Sequence, residues 1–292
     1  MSSQKGSYYL PAPSYWPVLG SVGLVSTVAG AANWLHGKSF GPYLFFTGLA
    51  FFLSILYGWF GTVIRENRLG LTNDPQVDRS FRWGMAWFIF SEVMFFSVFF
   101  GALFYARVLS VPWLGGDGTG VMTHLLLWPN FQATWPVFMT PNPAIFHGPQ
   151  EVMETWGIPA MNTLILLSSG GTITVAHWAL LKNKRTLMLW AQFVTILLGI
   201  TFLMCQVHEY GLAYLTKELK LSSGIYGTTF FMLTGFHALH VTVGTTMLIV
   251  MFYRMLRRDF TSQHHFAFEA AAWYWHFVDV VWLGLFIFVY WI

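Results

Sequence analysis

Long apolar runs dominate the pattern of hydrophobic and polar positions along this chain. A helix that crosses the roughly 30 Å hydrocarbon core of a bilayer needs about 20 mostly apolar residues. Seven runs meet this requirement, with the approximate bounds Tyr15–Leu35, Tyr43–Ile64, Trp83–Ala106, Ile158–Leu181, Leu187–His208, Ile225–Phe252 and Ala270–Ile292. Because backbone groups find no water partner in lipid, each run is predicted to be helical. The pattern therefore predicts an all-α membrane protein with seven transmembrane helices.

One long connection separates the third and fourth predicted spans. The segment Leu109–Gly157 contains a glycine cluster and several prolines, and it holds no apolar run of span length. Glycine and proline interrupt regular structure. The segment is predicted to be an extramembrane loop, with short helices at the membrane interface.

Composition supports membrane integration and excludes several classes of protein. Of the 292 residues, 55% are hydrophobic and 9% are charged, whereas soluble domains carry roughly 25% charged residues. The single cysteine, Cys205, excludes an intrachain disulfide and a CxxC zinc or redox site. We find no P-loop, dinucleotide-binding glycine motif or nucleophile elbow. No cleavable signal peptide is evident, and no nucleic-acid partner is expected.

The distribution of lysine and arginine predicts the orientation of the chain. If the N-terminus is cytoplasmic, eleven of the fifteen basic residues fall in inner segments and four in outer segments. Cytoplasmic loops of membrane proteins carry an excess of these residues. We therefore expect a cytoplasmic N-terminus, a periplasmic C-terminus and a long loop on the outer side.

Two acidic residues lie deep within predicted spans. Glu92 is in the third run and Asp279 is in the seventh. Ionisable groups in membrane helices are costly, so both are functional candidates. For Glu92 two interpretations stay open: a proton-exchanging or lipid-facing carboxyl, or a protonated acid hydrogen-bonded to a neighbouring helix. Glu209 and Glu269 lie nearer the span ends, where an acid is cheaper to place.

Two pairs of polar residues share helix faces because their members are three positions apart. His276 and Asp279 could form a hydrogen-bonded pair that fixes the imidazole, but a structural polar contact between helices is favoured. His237 and His240 could supply at most two ligands to a metal or haem. Hydrogen bonding to another helix or to lipid headgroups is favoured for them. The histidine pair at 264–265 lies in a short loop and is expected to be solvated.

Three segments carry a family pattern. They are Ser91–Phe96 (SEVMFF), Gly224–Val241 with its motifs GIYGTTFF and TGFHALHV, and His264–Leu283 (HHFAFEAAAWYWHFVDVVWL). Together they resemble cytochrome c oxidase subunit III. The resemblance runs from about Ser54 to the end of the chain, and the number of spans extends it to the whole.

The resemblance implies a fold. We expect a single integral membrane domain, 1–292, in which a two-helix bundle (15–64) and a five-helix bundle (83–292, with the outer loop 109–157) enclose a V-shaped cleft for phospholipids. The chain itself is expected to hold no haem, no copper and no other metal.

The resemblance also implies a role in a complex. The chain would be a non-catalytic, lipid-binding core subunit of a proton-pumping, aa3-type cytochrome c oxidase, packed on the catalytic subunit I together with subunit II. That complex would hold haem a, haem a3, copper A and copper B, and would reduce oxygen with electrons from cytochrome c. Subunit III would support the stability and proton uptake of subunit I. The long outer loop indicates a bacterial plasma membrane.

Residues matching the family motifs become candidate lipid-binding or functional residues. Glu92 matches a carbodiimide-reactive carboxyl beside the cleft, and Arg254 matches a headgroup-binding arginine, a residue type that can fork onto a phosphate. The complete set is Trp59, Arg65, Glu66, Glu92, His237, His240 and Arg254. His276 and Asp279 are expected to be structural, and no residue is expected to be catalytic. Phe60 replaces the second tryptophan of the usual motif.

Two other functions remain open. The chain could be subunit III of a quinol oxidase, although those relatives typically lack the first two spans. It could also be a proton-coupled transporter, a class in which intramembrane acids are common.

Overall fold

The computed structural model describes residues 13–70 and 74–292, and all regular structure within these ranges is helical. Seven helices in this part of the chain are long and apolar enough to cross a membrane. Their bounds are Trp16–Leu35, Gly41–Arg68, Pro75–Leu114, Ile158–Leu181, Arg185–Thr216, Gly224–Leu256 and Phe266–Trp291. The predicted fold class and number of spans are confirmed.

Two spans contain π-helical turns. We number the α-helices α1 Trp16–Leu35, α2 Gly41–Arg68, α3 Pro75–Phe104, α4 Val111–Leu114, α5 Val121–Leu127, α6 Ile158–Leu181, α7 Arg185–Thr216, α8 Gly224–Leu256 and α9 Phe266–Leu285. The turn Tyr105–Ser110 joins α3 to α4, and Phe286–Trp291 extends α9. The third span therefore continues beyond its predicted end at Ala106 to Leu114. A helix can extend past the end of its apolar run.

Proline occurs in the first turn of several helices, and α3 begins at Pro75. Pro17, Pro42 and Pro159 lie in the first turns of α1, α2 and α6. A proline costs nothing there, because the first N–H groups of a helix have no partner within the helix. Proline thus interrupts regular structure in the long loop and also begins membrane-spanning helices.

The described residues fall into two compact units, divided between Phe81 and Arg82. In the first, which we call the two-helix unit, α1 and α2 form an antiparallel pair that touches through glycines. A Cβ atom added to Gly23 would lie 3.0 Å from the Cα of Phe52, and one added to Gly48 would lie 2.7 Å from the backbone nitrogen of Thr27. The two backbones therefore approach too closely for side chains at these positions.

The second unit, Arg82–Ile292, is the five-helix unit, and its core is aromatic. Trp275, Trp282 and Phe202 are fully buried. The Trp275 Nε1–H donates to Ser169 Oγ at 2.8 Å, and the Trp282 Nε1–H donates to Thr163 Oγ1 at 2.9 Å. These bonds fix α9 against α6. The cleft expected between the two bundles stays a prediction.

The segment 111–157 packs against the long helices of the five-helix unit, of which it is part. Val111, Phe131 and Val137 form a small buried cluster of its own. The Thr155 hydroxyl donates to the Tyr290 carbonyl at 2.5 Å, and Lys217 Nζ lies 2.9 Å from Glu151 Oε2. The predicted loop thus contains short helices, α4 and α5, and is anchored to the ends of α7 and α9.

Candidate functional site

Glu92 and His240 form a polar pair between α3 and α8. Glu92 Oε2 lies 2.9 Å from His240 Nε2, and the two side chains are 21% and 13% exposed. The rings of Phe96 and Tyr274 lie against the imidazole, with centroids at 4.9 and 6.4 Å. Two interpretations were left open for Glu92. The structure has the hydrogen bond to a neighbouring helix that the second interpretation requires. The partner was not predicted, because 148 positions separate the two residues.

The backbone of α8 fixes the imidazole tautomer of His240. Its Nδ1 lies 2.7 Å from the carbonyl oxygen of Phe236. A carbonyl only accepts hydrogen bonds, so Nδ1 carries the hydrogen. If the ring is neutral, Nε2 can only accept, and the Glu92 carboxyl must be protonated in order to donate to it. If the ring is an imidazolium, Glu92 is a carboxylate. One proton is therefore shared by the carboxyl and Nε2.

His237 points to a different helix from its neighbour on the same face. Its Nε2–H donates to the Val278 carbonyl of α9 at 3.1 Å. The ring is fully buried, with centroids 5.7 Å from Phe202 and 5.1 Å from Trp282. His237 and His240 thus bond to two different helices, as expected from the structural interpretation. They do not converge on one point.

His276 and Asp279 lie at the contact between α9 and α6. His276 Nδ1 is 3.6 Å from Asp279 Oδ2, an ion-pair distance that exceeds hydrogen-bond length. His276 Nε2 lies 3.3 Å from Thr174 Oγ1 on α6. The Asp279 carboxylate occupies the space in which a Cβ atom of Gly170 would lie. The pair is therefore part of a helix contact, with a glycine providing the room.

Arg254 is buried near the C-terminal end of α8. Its Nε lies 3.3 Å from Asp259 Oδ2, and the two side chains are 4% and 8% exposed. The guanidinium carbon lies 4.5 Å from the centroid of the Phe260 ring. The arginine therefore binds the short segment that follows its own helix. Its role toward lipid headgroups stays a prediction.

The remaining candidates lie on α2, in the two-helix unit. Trp59 is half-buried, and an atom of its ring is 3.9 Å from the Cβ position of Gly20 on α1. Arg65 is exposed and Glu66 is half-buried in the last turn of the helix. Trp59 thus packs against its partner helix. Lipid contact by these three residues stays a prediction.

Two expectations about other polar residues are wrong. Glu209 was expected near a span end, but α7 continues to Thr216 and the Glu209 side chain is fully buried. It accepts from Gln206 Nε2 at 3.2 Å. His264 and His265 were both expected to be solvated; His264 is exposed, but His265 is half-buried, 5.5 Å between ring centroids from His177. The pattern of apolar residues indicates neither the extension of α7 past its apolar run nor the contact between the rings of His177 and His265.

These features define a class of protein: a multi-pass, all-helical membrane protein whose buried polar side chains join one helix to the next. The family model for cytochrome c oxidase subunit III matches residues 6–292. The chain belongs to this family, and is therefore part of an oxidoreductase complex of the respiratory chain that has haem and copper centres and further subunits.

Individual relatives match over their full length. Proteins named cytochrome c oxidase subunit 3 are 41% identical in Bos mutus grunniens, 42% in Dugong dugon and 42% in Raphicerus melanotis, each over 291 residues. Each alignment covers 100% of this chain and 99% of the relative. The three motifs used above therefore belong to a relationship that extends through the entire sequence.

Proposed function

We propose that the chain is a non-catalytic core subunit of a proton-pumping, aa3-type cytochrome c oxidase. It packs on subunit I in a complex that includes subunit II, haem a, haem a3, copper A and copper B, and that oxidises cytochrome c. The observation that carries this proposal is the full-length relationship to proteins named cytochrome c oxidase subunit 3. The bonding of Glu92, His237 and His240 supports a scaffold role, because each joins α8 to a neighbouring helix.

The proposed task of this scaffold is to hold phospholipid and to support subunit I in stability and proton uptake. Large apolar side chains are exposed along the spans, Tyr57 and Val98 among them. Trp59, Arg65 and Glu66 would contact lipid at the end of α2. A surface groove of about 390 Å³ at α7 and α8 has apolar walls and Arg185 at one end. Such a groove suits an acyl chain with a phosphate beside the guanidinium.

The proposed location is a bacterial plasma membrane, with the N-terminus cytoplasmic and the C-terminus periplasmic. The lysine and arginine bias supports the orientation, and the long connection before α6 supports the bacterial source. Single cysteines introduced at Lys184 and at Gln132, in a Cys205→Ser background, would test the orientation with a membrane-impermeant thiol reagent. Labelling of position 132 alone in intact cells is expected, and labelling of position 184 alone would refute it.

Purification of the tagged chain in mild detergent tests the complex directly. The eluate should show haem a absorption bands and should oxidise reduced cytochrome c. The isolated chain should show neither. Oxidation of quinol in place of cytochrome c would identify a quinol oxidase. Movement of a solute by the isolated chain in vesicles, abolished by Glu92→Gln, would identify a transporter.

The variant Glu92→Gln tests the scaffold role within the complex. An amide can still donate to His240 Nε2, so the helix contact should survive. The complex should keep its haem spectra and most of its initial activity. If the assembled variant lost its haem signals, Glu92 would have a role in the redox site, and the proposal would fail.

Replacement of Arg254 tests lipid retention. Arg254→Ala should reduce tightly bound phospholipid and shorten the active lifetime of the complex. Asp259→Asn is the matched control, because it weakens the contact within the chain while keeping the guanidinium. Unchanged phospholipid content by mass spectrometry in Arg254→Ala, or equal loss in both variants, would refute a headgroup role for the arginine.

A further inference from the structure

A second group of ionisable side chains lies apart from the Glu92–His240 pair. We propose that His177, His265 and Glu269 form a binding site for a divalent transition-metal ion, Zn²⁺ in the first instance. Each residue offers one ligand atom, and these atoms lie within 4.8 Å of one another. None of the three was a candidate functional residue in the sequence, and the inference does not depend on the proposed function.

Two rigid elements position the three side chains. His265 immediately precedes α9, and Glu269 follows it by one helical turn, so both lie on one face. His177 lies in the penultimate turn of α6. The ring of the fully buried Phe268 lies 5.8 Å from that of His177, measured between centroids, and forms an apolar wall. The packing of α6 on α9 therefore sets the geometry of the group.

Each of the two imidazoles has a nitrogen available to a metal. His265 Nδ1–H donates to the Thr261 carbonyl at 3.2 Å, so in the neutral ring Nε2 carries a lone pair. Metal-binding histidines commonly donate their other N–H to a carbonyl in this way. His177 Nε2 is buried and has no hydrogen-bond partner among the described residues. A buried nitrogen without a partner is costly, and a metal ion would satisfy it.

The carboxylate of Glu269 is oriented by an ion pair with Arg82. Its Oε1 accepts from Arg82 Nη1 at 2.8 Å, and the Glu269 side chain is 16% exposed. This contact orients the carboxylate as partners in the outer shell of a metal site do. The positive charge of Arg82 also offsets the negative charge of Glu269, so the site should bind metal less tightly than an unpaired carboxylate would.

The ligand set indicates which metal would bind. Two imidazoles and one carboxylate suit Zn²⁺ and its transition-metal neighbours better than Mg²⁺ or Ca²⁺, which prefer oxygen ligands. Ligand atoms of a tetrahedral zinc site lie roughly 3.3 Å apart, given metal–ligand distances of about 2.0 Å. The three atoms must therefore approach by up to about 1.5 Å, which small side-chain rotations can supply. The fourth position would hold water.

Calorimetric titration of the full-length chain with Zn²⁺ in detergent at pH 7.5 tests the site. Wild type should bind one equivalent of Zn²⁺ at this position. His177→Ala and His265→Ala should bind it at least about 100-fold more weakly, since loss of a ligand should cost no less than loss of an outer-shell partner. His264→Ala is the matched control, because His264 is an exposed neighbour outside the group.

X-ray absorption at the zinc edge supplies an independent measurement. Two imidazole nitrogens and one carboxylate oxygen at about 2.0–2.2 Å are expected in wild type. Thermal unfolding without metal shows whether each variant folds. If an alanine variant does not fold, His265→Gln is used as the ligand-removing variant. Absence of stoichiometric Zn²⁺ in wild type would overturn the proposal. So would equal affinity of the His264 and His265 variants, or a spectrum without imidazole.

Discussion

The two-helix unit and the five-helix unit bring their helices together by different means. In the two-helix unit, Gly30 of α1 faces the backbone of Leu44 and Phe45. In the five-helix unit, large rings fill the space between helices, and side-chain hydrogen bonds such as Trp275–Ser169 cross it. The first contact depends on the absence of side chains, and the second depends on particular side chains.

This difference follows from the chemistry of the bilayer. Lipid tails are as apolar as leucine, so burial of apolar surface gives little drive for helix association. Van der Waals packing and hydrogen bonds between helices are the main remaining sources of stability. The two-helix unit uses backbone packing at glycines, and the five-helix unit uses packed rings together with side-chain hydrogen bonds. Substitutions can therefore separate the two mechanisms.

Gly30→Leu should have the largest effect. A Cβ atom at this position would collide with the backbone of Phe45, and backbone cannot rotate away as a side chain can. Overpacking costs typically about 1–3 kcal/mol and occasionally more, and we expect the upper end. Unfolding in dodecyl sulfate measures the change. Gly61→Leu is the control on α2, because nothing lies within 4 Å of its Cβ position. Similar curves for both variants would refute the glycine contact.

Ser169→Ala should have the next largest effect. It leaves the buried Trp275 N–H without its acceptor, at a cost of about 1–3 kcal/mol. A double-mutant cycle with Trp275→Phe isolates the bond, and a coupling free energy of roughly 0.6–1.7 kcal/mol is expected in a membrane protein. Additive single and double variants would show that the five-helix unit owes its stability to ring packing alone.

Substitutions at Glu92 should have smaller effects that depend on chemistry. Glu92→Gln keeps a donor for His240 Nε2 and should change the free energy of unfolding by a few tenths of a kcal/mol. Glu92→Leu removes the donor and should cost about 1 kcal/mol. The difference between the two variants, measured by the same unfolding assay, reports the hydrogen bond. Equal losses would mean that volume, not bonding, is what matters at this position.

Glu151→Gln should have the smallest effect, at the surface of the five-helix unit. A hydrogen bond of 2.9 Å from the Lys217 ammonium, together with its positive charge, lowers the pKa of the exposed Glu151 carboxyl below its ordinary value. Any stabilisation is therefore present above the ordinary pKa and is lost as the pH falls through the lower value in the folded state. Wild type should unfold about 1 °C higher than the variant at pH 7, and at the same temperature at pH 2. A larger difference at low pH would contradict this sign.

The spans were predictable because their cause is local. About 20 apolar residues in a row require a helix in lipid, whatever surrounds them. The ends were less predictable. The extension of the third span to Leu114 and of α7 to Thr216 adds polar residues that no apolar run includes. The burial of Glu209 follows from that extension, and for this reason it was underestimated.

Pairing across the bundle could not be predicted from the same evidence. The separation of three positions correctly placed His237 and His240 on one face of α8, but it did not indicate that one bonds to α9 and the other to α3. That choice depends on how the helices are rotated against one another. His177 gave no signal at all, because its partners lie about ninety positions away at the start of α9.

The tautomer fixed by the Phe236 carbonyl has an electrical consequence. With one proton shared, the Glu92–His240 pair has no net charge in either state, so transfer of that proton converts a neutral pair into an ion pair without changing the net charge. With 2.9 Å between the heavy atoms, the proton would move by only about 1 Å. Across a core of about 30 Å, a potential of about 100 mV would change the energy of that step by only about 0.1 kcal/mol. The pair is therefore nearly insensitive to membrane voltage, and only charges close by can bias it.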